Sequence, residues 1–541
     1  MAGRWDCPVT HLLADVTVAT LRAVKLTVNT LEIGFQTCTV AAMDPNPRAV
    51  RGAINVDLPG PRISRHLYGH FAEHLGRCIY DGFFVGEDSP IPNERGIRLD
   101  VVEALRAIDI PNLRWPGGLF ADEYHWRDGI GPAAERPRMV NSNWGDIVED
   151  NSFGTHEFMT LCELLGADPY VVANVGSGTV QEAKDWVEYL TRGDNSPMAA
   201  LRRAHGRDRP WRVPFWGLGN EPWGGGGGMR AEAYADLART FGTFSKNHGD
   251  NKLCRIAAGA DSHDYHWTDV LMRACNGTFQ ALSFHYYTVP GTWETKGDAT
   301  RFDQAEYYAT IGKAARIDEL ITRHSAVMDV HDPEKKIGLV LDEWGTWYDV
   351  EPGTHPGFLL QQNTLRDALV ASLHFDVFHR HADRLTVANL AQTVNVLQSV
   401  LLTAGKSLIL TPTYHVFAMN KRHHDAESLA VHLRDPAPTH GEVTTFSASA
   451  SRKDGRLLLS LSNLDAERPL QLVLDLRGAT CGSPTAQILT APTLDAHNTA
   501  DHPDAVTAEA FDGVRIAGST LHATLPPHSF VTVDLRYAEL P

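Results

Sequence analysis

The chain has 541 residues, 43% of them apolar and 21% charged, with a formal net charge of −17. That length exceeds one ordinary domain and suits a large barrel with an accessory domain, and the apolar content supports a packed core and excludes wholesale disorder. With this acidic balance and no Lys/Arg block to track phosphates, nucleic acid and membrane surfaces are excluded as partners, and a neutral or weakly charged substrate is favoured.

In chain order, residues 1–52 carry no periodic pattern and end in the turn-rich Asp44-Pro45-Asn46-Pro47. They are expected to form an N-terminal extension that catalysis does not need. Ile54, Val56 and Leu58 then alternate with polar residues as a half-buried strand does, and residues 53–63 are expected to join a β-sandwich formed further along. From Ser64, short apolar strands alternate with helical patterns, the signature of βα units around a parallel sheet. The strands are predicted at His66–Phe71, Pro111–Arg114, Pro169–Val175, Pro214–Leu218, Arg255–Gly259, Ala281–His285, Ile337–Leu341 and Leu385–Leu390. Helices are predicted over Arg98–Ala107, His156–Leu165, Gln181–Leu190, Arg230–Asn247, Gln304–His324 and Thr364–His379. The fold class is therefore α/β, a (β/α)8 TIM barrel over residues 64–412.

Beyond residue 412 the helices stop. Phe446–Ser451 and Leu457–Leu461 flank Lys453-Asp454-Gly455, a hairpin signal, and short strands follow at Val473–Leu476, Ala486–Leu489, Leu521–Leu525 and Phe530–Leu535. This spacing predicts a C-terminal antiparallel β-sandwich over residues 413–541. Seven cysteines lie far apart with no CxxC pair, which argues against a zinc ribbon, a redox motif or a disulfide framework and favours the cytoplasm. The apolar stretch His11–Thr20 is broken by Asp15, and no apolar run approaches the roughly 18–20 residues that span a bilayer, so neither a signal peptide nor a membrane span is expected.

TIM-barrel active sites lie at the C-terminal ends of the strands. The fourth predicted strand ends in Trp216-Gly217-Leu218-Gly219-Asn220-Glu221-Pro222, the seventh in Val340-Leu341-Asp342-Glu343-Trp344, and the sixth in Phe284-His285-Tyr286-Tyr287. Glycoside hydrolysis with retention needs two carboxyl groups about 5–5.5 Å apart, one protonated and one ionised. Apolar surroundings raise an acid's pKa, whereas hydrogen bonds from Asn or Tyr hold a nucleophile ionised. Glu221, beside Asn220 and the Trp216/Trp223 pair, suits the acid, and Glu343, with Tyr287 on the neighbouring strand, suits the nucleophile. An isolated Glu is most often a solvated surface residue; two at the ends of apolar strands four and seven point to function.

Gly219-Asn220-Glu221 and Asp342-Glu343-Trp344 resemble the signature of clan A glycoside hydrolases. Tyr68–Gly76, Arg114-Trp115-Pro116-Gly117-Gly118 and Tyr124–Pro132 resemble, more narrowly, glycoside hydrolase family 51, and the resemblance runs from about Ile54 to Leu535. It implies a retaining exo-acting α-L-arabinofuranosidase built as a barrel plus a jelly-roll-like β domain, a homo-oligomer that is often a hexamer, acting on arabinofuranosyl side chains of oligosaccharides or polysaccharides. It makes Glu221 the acid/base and Glu343 the nucleophile. By the same resemblance Glu73 accepts from a sugar hydroxyl with Arg114 supporting it, and Asn220 donates to the 2-hydroxyl. Tyr287 partners the nucleophile, Gln392 makes a further sugar contact, and Trp144 and Trp347 form hydrophobic walls. One position departs from the pattern. After Pro116-Gly117-Gly118 many members place Asn, and this chain has Leu119, which removes a donor, adds bulk and opens the exact furanoside to question.

Other signals carry less. His374, His379 and His381, and His423 with His424, lack ligand spacing with a carboxylate, so no metal is expected. The Gly224–Gly228 run lacks the Lys-Ser/Thr of a phosphate loop and reads as a flexible active-site loop, and no cofactor fingerprint is present, so no cofactor is expected. His285 reads as a buried orienter of strand six and not as a base. Two competing readings stand beside the first: the same mechanism on another sugar, as in a β-D-galactofuranosidase, β-xylosidase or endoglucanase, or an inert barrel that only binds carbohydrate.

Overall fold

A computed structural model describes residues 49–274 and 277–540. Eight parallel strands close into a barrel: Gly69–Phe71, Asn112–Trp115, Asp168–Ala173, Phe215–Leu218, Cys254–Asp261, Ala281–Thr288, Gly338–Thr346 and Leu385–Leu390, the eighth pairing with the first. All eight lie where alternation predicted them. The barrel is filled, not hollow: Tyr170, Val172, Phe215, Ile256, Ala281, Val340 and Val387 point inward and pack on one another with Ala121. The outward residues of the same strands meet the apolar faces of the surrounding helices in a second, larger core.

Local chemistry sets where the helices begin. Thr179 with Glu182, Asp303 with Glu306, and Thr364 with Asp367 form capping boxes that satisfy otherwise orphan N–H groups. The helix from Asp303 runs to His331, beyond its predicted end at His324. His324 is itself buried, its ring bonded to the Thr268 hydroxyl and the Ser262 carbonyl, so the apolar stripe continues through it to Met328. Three helices escaped the sequence reading, Pro197–Ala204, Tyr265–Ala274 and Pro412–Asn420. No helix among the described residues is long and apolar enough to cross a membrane.

The C-terminal strands form a five-stranded and a seven-stranded sheet around their own apolar core. Phe446–Lys453 and Arg456–Asn463 make the predicted hairpin, with Asp454 and Gly455 both at positive φ (50° and 72°) as a tight two-residue turn demands. The early strand lies at Ala49–Asn55 and not at Ile54–Leu58: Val50 and Ile54 enter the core, and Leu58 is exposed. Its Ala-Val-Arg-Gly-Ala start has little strand propensity of its own. Pairing imposes the conformation, antiparallel with Val431–Leu433 and parallel with Leu470–Arg477, so the sandwich contains one parallel pair.

The helix Leu365–Arg380 is buried from Leu365 to His379 because barrel and sandwich cover opposite faces. Its inner face holds Trp344 of the seventh strand against His374, Phe375 and Phe378. Its outer face carries a buried polar joint. Asp376 accepts from the Ser449 hydroxyl (2.7 Å), and His379 bridges Ser449 and the Tyr68 hydroxyl at 2.9 and 2.7 Å. Burial pushes the Asp376 carboxyl up to about 7.

The strand at Ala49–Asn55 shifts the expected boundary of the dispensable extension. A chain beginning at Gly52 would lose Val50, whose burial is worth about 1.5–3 kcal/mol. A chain beginning at Pro47 is expected to melt with the full-length protein, and one beginning at Val56, lacking the whole strand, several degrees lower. Calorimetry on the two truncations checks this.

Candidate active site

The barrel brings its carboxylates to the C-terminal rim. The fourth strand ends at Leu218, and the chain turns sharply through Asn220 and Glu221; Glu221 sits at φ 40°, a left-handed conformation costly for any residue but glycine. That turn is held from behind, as Gly224 and Gly226 N–H groups donate to the Glu221 carbonyl at 2.8 and 3.2 Å. On the seventh strand the register with both neighbours shifts between Leu341 and Trp344 and around Ser283–His285. This bulge allows the consecutive side chains of Asp342 and Glu343 both to join the buried cluster, while Trp344 packs outward on the helix.

One carboxylate or imidazole atom from each of Glu221, His285 and Glu343 lies within 4.8 Å of the other two, which brings the two glutamates closer than the roughly 6.5–9.5 Å of an inverting glycosidase. Arg114, fully buried, ties the cluster together: it donates to Glu343 Oε1 at 2.8 Å and Asn220 Oδ1 at 2.6 Å, and lies 3.5 Å from Asp342. Its guanidinium rests on the Phe71 ring. The Tyr287 hydroxyl donates to Glu343 Oε2 at 2.7 Å. Glu343 therefore receives a charged and a neutral donor, one on each oxygen, which fixes its orientation.

His285 stands between the carboxylates, its Nδ1 2.8 Å from Glu221 Oε1 and its Nε2 3.1 Å from Asp342 Oδ1. Burial alone would discharge the ring, but Glu343, Asp342 and Glu221 together hold it well above the usual imidazole range. Burial likewise opposes charge on Asp342, yet Arg114 and His285 keep it near 2, with the Tyr170 hydroxyl donating at 2.6 Å. Glu221 goes the other way: burial, with Glu343 nearby, raises its pKa despite the bond from His285. Of the two glutamates, Glu221 is the one whose setting favours the proton.

Glu73, just past the first strand, is buried and held by four N–H donors. Its Oε1 takes N–H bonds from Gly118, Phe120 and the Trp144 indole at 2.9, 3.2 and 2.9 Å, and its Oε2 one from Gln392 at 2.6 Å. Burial and then Glu343 lift it to about 7. The structure therefore brings together Glu221, Glu343, Glu73, Arg114, Asn220, Tyr287, Trp144 and Gln392, and Trp347 packs edge-on against Tyr287 at 4.9 Å. Leu119 sits differently from the rest. A methyl group on Gly225 would come within 2.5 Å of its Cδ2, so the leucine packs on the glycine run after Glu221, and that run is glycine at Gly225 because the leucine is there. Asp342, Tyr170 and the bridging role of His285 were not foreseen. The Asp-Glu pair was visible in the sequence, but the bulge that turns both residues inward was not.

Gly118 lies against Glu343: a Cβ there would lie 2.8 Å from Glu343 Oε1. Gly118→Ala is expected to displace Glu343 and lower kcat about 100-fold while leaving the circular dichroism spectrum unchanged. The His285 bond and charge lower the Glu221 pKa, so their removal must raise it further. In His285→Gln the basic limb of the residual kcat/KM profile is therefore expected at higher pH than in the parent.

Comparison with known proteins agrees with this geometry. Family models described as the α-L-arabinofuranosidase 1 domain and the α-L-arabinofuranosidase C-terminal domain match residues 104–306 and 342–529. An intracellular exo-α-L-arabinofuranosidase of Bacteroides ovatus is 52% identical over 478 residues, covering 88% of this chain and 93% of that one. The crystal structure of the GH51 arabinofuranosidase from Xanthomonas axonopodis pv. citri superposes with a TM-score of 0.89 at 51% identity, covering 90% of this chain and all of that one. An arabinose complex of the Thermotoga maritima α-L-arabinofuranosidase gives a TM-score of 0.80 at 32% identity, covering 91% of this chain and 100% of the other.

Proposed function

The chain belongs to glycoside hydrolase family 51 and is an α-L-arabinofuranosidase, and from that premise we propose that it removes non-reducing terminal α-L-arabinofuranosyl residues by double displacement, with Glu343 as nucleophile and Glu221 as acid/base. The observation that carries the assignment is the pair of glutamates within 4.8 Å, of which Glu221 is the one whose setting favours the proton. In the first step a Glu343 oxygen bonds to the anomeric carbon as the bond to the leaving oxygen breaks, and Glu221 gives that oxygen its proton. In the second, Glu221 takes a proton from water, whose oxygen attacks the anomeric carbon and releases Glu343. Two inversions return the original configuration.

The remaining residues bind and orient. Glu73, held by four N–H donors, presents its remaining acceptor capacity to sugar hydroxyls, and Gln392 and Trp144 fix it there. Asn220 uses its carbonyl on Arg114, which directs its amide, otherwise unbonded, toward the sugar. Arg114 and Tyr287 aim the nucleophile, and Trp347 backs Tyr287. Leu119 acts through the glycine run it packs on, shifting selectivity among furanosides without touching the bond-breaking step. Catalysis belongs to residues 64–412, with 413–541 and the strand Ala49–Asn55 as the supporting sandwich. The substrates are arabinofuranosyl-bearing oligosaccharides and polysaccharide side chains, and the active form is a homo-oligomer, up to a hexamer. An intracellular setting, stated in the Bacteroides ovatus relative's name, is supported by Cys78, Cys162, Cys254 and Cys481, all free thiols.

Glu343→Ala is expected to abolish turnover, with azide restoring it as a glycosyl azide of inverted configuration. Glu221→Ala is expected to spare aryl glycosides, whose leaving groups need little protonation, far more than natural oligosaccharides. Proton NMR of the first-formed product on the parent enzyme must show retention. Substantial unassisted turnover by Glu343→Ala would refute the assignment.

A further inference from the structure

The nucleophile is the inner end of a line of aromatic rings that reaches the surface. Tyr287 donates to Glu343, Trp347 meets Tyr287 edge-on at 4.9 Å, and Trp293 meets Trp347 edge-on at 5.4 Å. Tyr287 and Trp347 are half-buried, and Trp293 is 57% exposed. A large exposed indole beside a catalytic cleft has lost the reason for burial without gaining a partner.

The loop that carries it is nevertheless firmly held. Thr292 N–H donates to the Thr295 carbonyl, and the Lys313 ammonium donates to the carbonyls of Pro290 and Gly291 at 2.8 and 2.5 Å. The Asp349 carboxylate accepts from the N–H groups of Lys296 and Gly297 at 3.4 and 3.3 Å, and the Asp349 N–H returns a bond to the Gly297 carbonyl at 2.9 Å. The Lys296 ammonium bonds the Trp293 carbonyl at 2.7 Å and lies 6.0 Å from the centres of both indoles. The loops after the sixth and seventh strands are thereby clamped into one unit that presents the ring to solvent without rotational freedom of the backbone. Such pre-organisation lowers the ordering cost of a bound ring.

Its place on the rim selects the occupant. The loop follows the sixth strand, on the arc that runs from Glu221 on strand four, through His285 on strand six, to Glu343 on strand seven. On the glycosidase reading the sugar that is cleaved off lies toward the buried Glu73, past the first strand on the other arc. What extends outward past the partly exposed Glu221 is the leaving group. We propose that Trp293 is the stacking platform for a sugar ring of the leaving group, taking the apolar C–H face of that ring on its exposed indole, with Lys296 beside it to meet a ring hydroxyl. This inference rests on the glycosidase reading above and names the side of the substrate that Trp293 reads.

The test compares two substrates on the parent, Trp293→Ala and Trp293→Phe: methyl α-L-arabinofuranoside, whose leaving group has no ring, and an α-linked arabinofuranosyl trisaccharide. The ratio of their kcat/KM values, trisaccharide over methyl glycoside, is expected to fall about tenfold in Trp293→Ala, mainly through KM, and to recover partly in Trp293→Phe. An unchanged ratio in Trp293→Ala would overturn the proposal, whether or not both rates fall together; a changed sedimentation coefficient with an unchanged ratio would overturn it in favour of a subunit contact. A parent enzyme inert on both substrates would overturn the glycosidase reading itself.

Discussion

Everything at this site depends on keeping several carboxylates close together out of bulk water. Like charges at such a separation repel strongly where the dielectric is low, and a lone buried carboxylate simply takes up a proton. The structure resolves this with two buried cations, Arg114 and His285, for Asp342 and Glu343. With those two acids compensated, Glu221 carries the proton. Removing either cation would leave a buried carboxylate uncompensated. The charge balance is thus a property of the whole cluster.

Such a cluster is expensive to bury, and the scaffold around it is correspondingly stiff. Arg114 rises from the second strand between Phe71 and Tyr170, and Gly118 provides the close approach that keeps Glu343 in place. Trp344, the residue after the nucleophile, is locked into the helix Leu365–Arg380, and the opposite face of that helix is sealed by the sandwich through Asp376, His379 and Ser449. The sandwich thus backs the helix that backs the strand carrying Glu343. The glycine run behind Glu221 follows the same logic: it lets Leu119 pack against the turn that aims the acid.

The sequence by itself determined the barrel, because eight strands buried on both faces must read as apolar runs separated by helical stripes, whatever their partners. It also pointed to Glu221 and Glu343 as candidates, since a carboxylate at the end of an apolar barrel strand has few structural reasons to be there. The hairpin at Asp454-Gly455 was equally legible, because positive φ at two successive positions restricts which residues can form it. The strand Ala49–Asn55 was not, since its residues have weak local preference and only pairing on both sides makes them extended. The bulge that brings Asp342 in beside Glu343, the imidazolium of His285 between two strands, and the turning of Leu119 onto Gly225 belong to tertiary structure alone. Each is a contact between segments distant in the chain, and local sequence pattern contains no information about which distant segment will arrive.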